Sequence, residues 1–362
     1  MPKVSIIIVN YNRKNDTEEC IQSILNSEYP KERLEVIIID NGSSDGSVEF
    51  LKQKYSQYHI IRIVSLDKNY GFCLPNNIGA RMANGDYIFF LNNDTIIEKS
   101  CILKLAEAAI EYEKNDVVAF APKILYYDAP KIIQVAGGTL SIIGFGYYRG
   151  DGEVDSHLFN KVEYVGFTSG AAAFINRRFF LSVQGFDSEY FASAEEAELG
   201  FKVWLSGKKV LYVPSARVYH KVSVTFGRRG PTPLKVYLQT RNRLLNMFKF
   251  INSFDLVFGF LLSIGLDLKR FVQYLILKEL DCAYNILFAY VNAIKIINRK
   301  YFKRKRSAMQ SLKRIDINCL KKNEIFATIT ECLKREINLT YIWRRAFFRK
   351  RWVRHNKSAQ IS

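Results

Sequence analysis

Four short apolar runs, each closing on asparagine or aspartate or leading to one, do most to limit what this chain can fold into. Val4–Val9 is unbroken and β-branched and ends in Asn10-Tyr11-Asn12. Glu35–Ile39 stops at Asp40-Asn41-Gly42, Ile60–Val64 leads to Asn69-Tyr70-Gly71-Phe72, and Tyr87–Leu91 stops at Asn92-Asn93-Asp94. Val4–Val9 and Glu35–Ile39 read as buried strands, the first on both faces, and Ile60–Val64 and Tyr87–Leu91 as further strands. Helical patterns lie between them. Cys20, Ile21, Ile24 and Leu25 form a stripe behind Asp16-Thr17-Glu18-Glu19, which reads as a capping box. Ser44 is placed to cap a helix running to about Tyr55, and a further helix is expected around Asn76–Ala83. Strands and helices alternating through short polar connections predict an α/β fold with a mostly parallel sheet. Such sheets bind ligands at the carboxyl ends of their strands, where these polar residues stand.

The second half is less regular. Ile124–Gly152 contains Gly137, Gly138, Gly144, Gly146 and Gly150 and reads as loops or short strands beside a cleft. Thr168–Ile175 predicts a strand of small residues, Glu195–Leu205 a helix stopped by Gly207, and Val210–Val213 a strand. From about Pro233 the chain turns helical and basic. Leu256, Phe260, Leu261, Ile264, Leu268, Phe271, Val272 and Leu275 recur at spacings of three and four, the mark of an amphipathic helix. The uncharged stretch Leu256–Leu266 has 11 residues. A bilayer needs about 20, so no spanning helix is expected.

Charge divides the chain in the same place. Residues 1–225 carry 24 Lys/Arg against 27 Asp/Glu, and residues 226–362 carry 29 against 8. The basic part includes two clusters interleaved with aromatics, Arg299–Arg306 and Arg344–Lys357. An anionic partner is implied, either lipid or nucleic acid. The amphipathic stretch before the clusters, and the lack of a nucleic-acid-binding motif, favour an anionic membrane surface over nucleic acid. A solvated tail or an oligomer contact is the plainer alternative. The six cysteines form no CxxC pair, and Val4–Val9 is too short for a signal-peptide core. Both fit a reducing cytosol.

Some strand-end residues suit chemistry. Asp94 is a lone carboxylate suited to a hard divalent cation of the kind that sits on nucleotide phosphates, or else part of an ordinary polar turn. Asp40 can accept a hydrogen bond from a pyrimidine imide N–H, or simply form a turn. Tyr11 beside it can stack on a base or line a rim.

Taken in order, four motifs resemble those of the family 2 glycosyltransferases, which have the GT-A fold, and most closely the rhamnosyltransferase-like members. They are Val4–Asn12, Asp40-Asn41-Gly42-Ser43-Ser44-Asp45-Gly46-Ser47, Asn69-Tyr70-Gly71-Phe72 and Leu91-Asn92-Asn93-Asp94-Thr95. The resemblance covers roughly residues 1–250. It implies a Rossmann-like, mostly parallel sheet flanked by helices, and periodicity and charge add a basic, amphipathic helical extension. The chain is thus expected to divide into a catalytic domain at 1–230, a helical membrane-associating segment at 231–298 and a basic tail at 299–362. By this resemblance Asp40 holds the nucleobase of a nucleotide-sugar donor. Val9 and Tyr11 line its pocket, and Asn69 and Gly71 approach the same crevice. Asn93 and Asp94 occupy the place of an Asp-x-Asp element whose first position is Asn92 here. One carboxylate, Asp94, then carries Mg²⁺ or Mn²⁺, with diphosphate oxygens and water completing the coordination.

The resemblance extends to Gly185-Phe186-Asp187 and Tyr190–Leu199. There it implies a general base at Glu196, with Glu195 the alternative. The family pattern has aspartate where this chain has Glu196 and Glu198, so each carboxylate sits about one C–C bond further out. An acidic first helical turn is the plainer reading of these residues. His220 falls where relatives carry a histidine, as a metal ligand, a diphosphate contact or a structural residue. Arg241, on a basic-aromatic helix, is implied to neutralise diphosphate, or else faces solvent or membrane. The implied activity is inverting, metal-dependent transfer of a sugar from a UDP- or dTDP-sugar to a glycan or lipid-linked glycan. The implied setting is cell-surface polysaccharide synthesis, peripheral on the cytoplasmic face of the plasma membrane. A non-catalytic relative that binds nucleotide-sugars as a scaffold is the alternative.

Overall fold

The computed structural model describes residues 1–221, 232–251, 253–304 and 326–327. The expected strands form: β1 (Val4–Asn10), β2 (Leu34–Asp40), β3 (Ile61–Ser65) and β4 (Tyr87–Asn92). They lie in the order β3-β2-β1-β4, all parallel, with Asn10 opposite Asp40 and Val9 opposite Asn92. The chain moves outward from β1 to β3 and then returns to the other side of β1. The crevice beyond β1 and β4 is therefore a topological switch point. Helices α1 (Lys14–Leu25), α2 (Ser47–Tyr55) and α3 (Cys73–Met82) make the crossovers. The period-two alternation of β1 feeds two cores. Val4, Ile6 and Ile8 pack with Cys20, Ile21 and Ile24 of α1, whereas Ile7 packs with Cys73 and Ala80 of α3. Each fully buried aliphatic side chain contributes roughly 1.5–3 kcal/mol, so both faces of β1 are firmly held.

The sheet then becomes mixed. Its further strands are β5 (Thr95–Ile97), β6 (Val117–Tyr126), β7 (Ala129–Val135), β10 (Glu163–Val165), β11 (Ala172–Asn176) and β12 (Lys209–His220). β11 runs antiparallel between β4 and β6, and β12 runs parallel to β6. A hairpin of β8 (Gly138–Ser141) and β9 (Gly146–Tyr148) makes a second small sheet, to which β13 (Phe326–Ala327) adds alongside β8. The glycine-rich segment is thus more strand than loop. Its glycines let backbone and aromatic rings approach closely: a Cβ on Gly138 would meet the Phe167 ring at 2.1 Å. α4 (Cys101–Glu111), α5 (Arg177–Ser182) and α6 (Glu195–Leu205) complete this part.

Two expected helix starts are corrected. α1 begins before the predicted capping box, and the Asp16 carboxylate pairs with Arg13 and Lys221 instead of capping. Ser44 is not a cap, because its N–H donates to Asn12 Oδ1 and α2 starts after left-handed Gly46.

The C-terminal helices are α7 (Pro233–Phe250), α8 (Ser253–Ile276) and α9 (Leu280–Arg304). Leu244, Leu245, Met247 and Phe250 of α7 enter the same core as Ile7. The buried Arg243 of α7 pairs with Asp267 of α8, whose Oδ2 also accepts from Tyr290 of α9 at 2.7 Å. Within the predicted stripe of α8, Leu256, Phe260 and Phe271 pack inward. Val257, Phe258, Leu261, Ile264, Leu268 and Val272 are exposed, and Phe254 is 86% exposed. On α9, Tyr284, Leu287, Phe288, Val291 and Ile294 are exposed as well. α9 also corrects the expectation that no helix reaches spanning length. Leu280–Arg299 is long and apolar enough to cross a membrane by length and composition, because its charges stand near its ends. The cluster Arg344–Lys357 lies outside the described residues.

Candidate active site

The strand ends interlock through amides. Asn10 Nδ2 donates to Asp40 Oδ2 at 2.7 Å, and the Ser43 N–H donates to Asp40 Oδ1 at 2.9 Å. Asn10 Oδ1 accepts from Thr17 Oγ1 at 2.7 Å and from Asn93 Nδ2 at 3.2 Å. This network ties the ends of β1, β2 and β4 to α1, with Asp40 buried and Val9 and Tyr11 half-buried beside it. Asn93, expected at the sugar-diphosphate, turns its amide inward to Asn10 and Thr17.

Asn41 organises the third strand end. Its Nδ2 donates to Asn69 Oδ1 and Gly71 O, and its Oδ1 accepts from Tyr70 N. Asn69 is exposed and Gly71 half-buried at this turn. Gly71 has φ +79°, and a Cβ there would fall 2.3 Å from the Phe191 carbonyl oxygen. That carbonyl accepts from Phe72 N and Cys73 N at the start of α3. Gly71 thus lets the loop before α6 dock against the turn that opens α3.

β12 brings His220 to Asp94. His220 pairs with Thr95 of β5, and Lys221 N donates to Asp94 O at 2.9 Å. His220 Nε2 lies 3.0 Å from Asp94 Oδ1, and Nδ1 lies 2.8 Å from Gln134 Oε1. With Nδ1–H donating to the Gln134 carbonyl, Nε2 faces the carboxylate. Two acceptors at this distance are stabilised by a proton or a metal ion between them. Burial works against charge on Asp94, but the His220 ring and a backbone N–H outweigh it and hold the carboxyl below its usual range. One carboxylate oxygen and one oriented imidazole nitrogen fit a divalent cation that draws its other ligands from elsewhere. Among the described residues no group of three or more His, Cys, Asp or Glu side chains forms a fuller site.

The acidic pair stands at the same sheet edge. Asn92 N donates to Ala171 O at 2.9 Å, and a Cβ on neighbouring Gly170 would meet Glu195 Oε1 at 3.3 Å. Glu195 is buried and Glu196 half-buried, and Oε2 of each is sealed from solvent without a partner. Tyr148 of β9 donates its O–H to Glu196 Oε1 at 2.9 Å. Burial pushes the carboxyls of Glu195 and Glu196 upward, and for Glu195 the adjacent Glu196 charge pushes further.

The loop before α6 is strained, with Phe191, Ser193 and Ala194 all at positive φ. Such conformations cost roughly 1–3 kcal/mol each and need outside support. Asn242 supplies it by donating to the carbonyls of Tyr190, Ala192 and Ser193 at 2.7–3.0 Å. Arg241, expected at the diphosphate, donates instead to the carbonyls of Glu189 and Tyr190 and stacks over the Tyr237 ring. The local sequence could not show that loop carbonyls lie within its reach. Gln134, Tyr148 and Asn242 were not singled out in the sequence; only their position in the glycine-rich segment or beside Arg241 marked them.

Comparison with known proteins agrees with this fold. Among curated relatives, glycosyltransferase AglE of Haloferax volcanii is 33% identical over 94 residues, 26% of this chain and 31% of that protein. Poly(ribitol-phosphate) beta-glucosyltransferase of Bacillus spizizenii is 33% identical over 103 residues, 28% of this chain and 16% of that protein. The chain therefore spans less than a third of the length of these relatives. Among solved structures, GalNAc-T7 with UDP, GalNAc and Mn²⁺ superposes with a TM-score of 0.58 at 17% identity, covering 70% of this chain and 49% of that one. This likeness shows a GT-A fold. The family descriptions "Glycosyl transferase family 2" and "Glycosyl transferase family group 2" match residues 5–144 and 87–263. The chain belongs to the family 2 glycosyltransferases.

Proposed function

We propose that this protein transfers a sugar from a nucleotide-sugar, a UDP- or dTDP-activated hexose, to a glycan or lipid-linked glycan in cell-surface polysaccharide synthesis. The observation that carries the reading is the meeting of Asp94 and His220, 126 residues apart, at the switch-point end of a family 2 sheet. Asp40, Val9 and Tyr11 receive the base, and the turn at Asn69 and Gly71 closes that side. Asp94 and His220 hold a divalent ion, Mg²⁺ or Mn²⁺, and Gln134 orients the imidazole. When bound, the ion stabilises the negative charge of the departing diphosphate. Glu196 takes the proton of the acceptor hydroxyl as the acceptor oxygen attacks the anomeric carbon and the sugar–phosphate bond breaks. Direct displacement of this kind inverts the anomeric centre. Relatives and structural neighbours support the class: one relative is a poly(ribitol-phosphate) beta-glucosyltransferase, and the neighbour GalNAc-T7 was crystallised with UDP, GalNAc and Mn²⁺.

A thermal-shift screen of UDP-, dTDP- and GDP-sugars with Mn²⁺, followed by a transfer assay with the best donor, tests the reading. Metal-dependent donor stabilisation together with turnover is expected. Donor binding with neither hydrolysis nor transfer would favour the scaffold alternative, which the Glu-for-Asp positions 196 and 198 motivate.

The proposed place of action is the cytoplasmic face of the plasma membrane. The exposed apolar stripes of α8 and α9, followed by the basic segment from Arg299, suit anionic lipid better than nucleic acid. Flotation with anionic and with neutral vesicles checks this. Binding to the anionic vesicles is expected, and failure to float with either removes the membrane partner.

A further inference from the structure

We propose that Glu195 and Glu196 form a proton-sharing carboxyl pair in which Tyr148 places the negative charge on Glu196, making Tyr148 a positioning residue for proton removal. The inference rests on the assignment of Glu196 as general base and says how that base is kept ionised. Glu195 and Glu196 are chain neighbours at the start of α6, and Oε2 of each is buried without a partner. Two charged carboxylates so placed repel each other with little solvent screening, whereas a carboxylic acid beside a carboxylate does not.

The surrounding charges leave the pair alone. Lys249 of α7 sits 2.7 Å from Asp187 and 3.4 Å from Glu198 and lies against Tyr190. Lys202 of α6 sits 3.0 Å from Glu198. These lysines are engaged by Asp187 and Glu198, and among the described residues neither Glu195 nor Glu196 forms an ion pair with Lys or Arg. Cys73 of α3 also faces the acidic group, and its buried thiol is pushed well above its usual range, so it brings no charge. Two adjacent buried carboxyls without a cation hold one proton between them.

Hydrogen-bond donors decide where that proton stays. The Tyr148 O–H reaches Glu196 Oε1 and not Glu195. Burial keeps the phenol protonated, so it acts as a donor. A donor on one member favours the anion there. The remaining proton then sits on Glu195. During transfer the acceptor proton moves to Glu196 as the new glycosidic bond forms and the nucleoside diphosphate leaves with the electrons of the broken bond. The pair afterwards returns one proton to solvent.

Two readouts test this. In the pH dependence of kcat/KM, Tyr148→Phe removes a charge-assisted hydrogen bond. It should move the acid limb upward by about one to two pH units and leave the high-pH plateau within a few-fold. An unmoved acid limb with a lowered plateau would overturn the positioning role. The second readout is the carboxyl infrared band at neutral pH, which needs no activity and so separates this inference from the functional reading. The band of a protonated buried carboxyl should be present in the wild type and in Glu196→Gln, and lost in Glu195→Gln. Its persistence in Glu195→Gln, or its absence from the wild type, would overturn the shared proton. A wild type that shows the band but no transfer would count against the transferase reading alone. Donor-induced thermal shift in each variant confirms that it is folded.

Discussion

Asp40 and Glu196 are both carboxylates at the ends of regular elements, and their surroundings are opposite. Asp40 accepts from Asn10 and from the Ser43 amide, inside a net of side-chain amides that closes on itself through Thr17 and Asn93. Glu196 has one donor, Tyr148, and Oε2 of Glu195, Glu196 and Glu198 have no partner. The loop feeding α6 carries three non-glycine residues at positive φ, whereas Asn12 alone does so at the end of β1. Unpartnered buried polar atoms cost roughly 1–3 kcal/mol each. The donor side therefore reads as prebuilt and stable. In the proposed reading the α6 side retains groups whose partner would be the acceptor, and α7 holds it in place from behind.

This contrast predicts effects that fall in order. Asp94→Ala should have the largest, because stabilisation of the leaving diphosphate amounts to several kcal/mol, or roughly three orders of magnitude in transfer. Steady-state turnover across a Mn²⁺ titration measures it, and near-normal turnover would remove Asp94 from the metal. Gln134→Ala should weaken Mn²⁺ by about 10–100-fold through the misoriented His220 ring. Calorimetric Mn²⁺ binding checks that, and an unchanged affinity would make Gln134 incidental. Asn242→Ala withdraws support from three carbonyls. It should destabilise by about 1–3 kcal/mol in urea unfolding, with acceptor KM rising more than donor KM. Gly71→Ala forces a side chain at positive φ against the Phe191 carbonyl and should cost about 1 kcal/mol or more, affecting both sides together.

The smallest effect is on the pH dependence of stability. Asp94 has a folded pKa below its unfolded value, so its contribution is full above the unfolded pKa, near 4, and is lost as pH falls through the folded pKa. Glu195 and Glu196 have raised values, so theirs is full below about pH 4 and is lost as pH climbs through the folded pKa. Melting temperatures of Glu195→Gln should decline less toward alkaline pH than those of the wild type. An identical slope would mean that the pair carries no such strain.

The donor side was legible in the sequence because its signals are local. An apolar run ending on Asn10, Asp40 or Asn92 announces a strand and its ligand-facing end within a few residues. The acceptor side depends on contacts that sequence spacing does not reveal. Tyr148 meets Glu196 across 48 residues, and Gln134 meets His220 across 86. The same limit explains the misreadings. Asp16 looked like a helix cap until Lys221, 205 residues away, engaged its carboxylate. Arg241 looked free to bind diphosphate until the fold set the carbonyls of Glu189 and Tyr190 beside it. The apolar stripe of α8 was visible as a stripe, but only packing against α7 and α9 separates inward Phe260 from outward Leu261.

Glu196→Gln tests the division of labour most directly, with donor affinity and transfer rate measured on the same preparation under saturating Mn²⁺. Donor affinity should stay within a few-fold of the wild type while transfer falls by about 10²-fold or somewhat more, short of the loss in Asp94→Ala. Transfer at full rate, or a parallel loss of donor binding, would contradict the assignment of proton removal to the acceptor side.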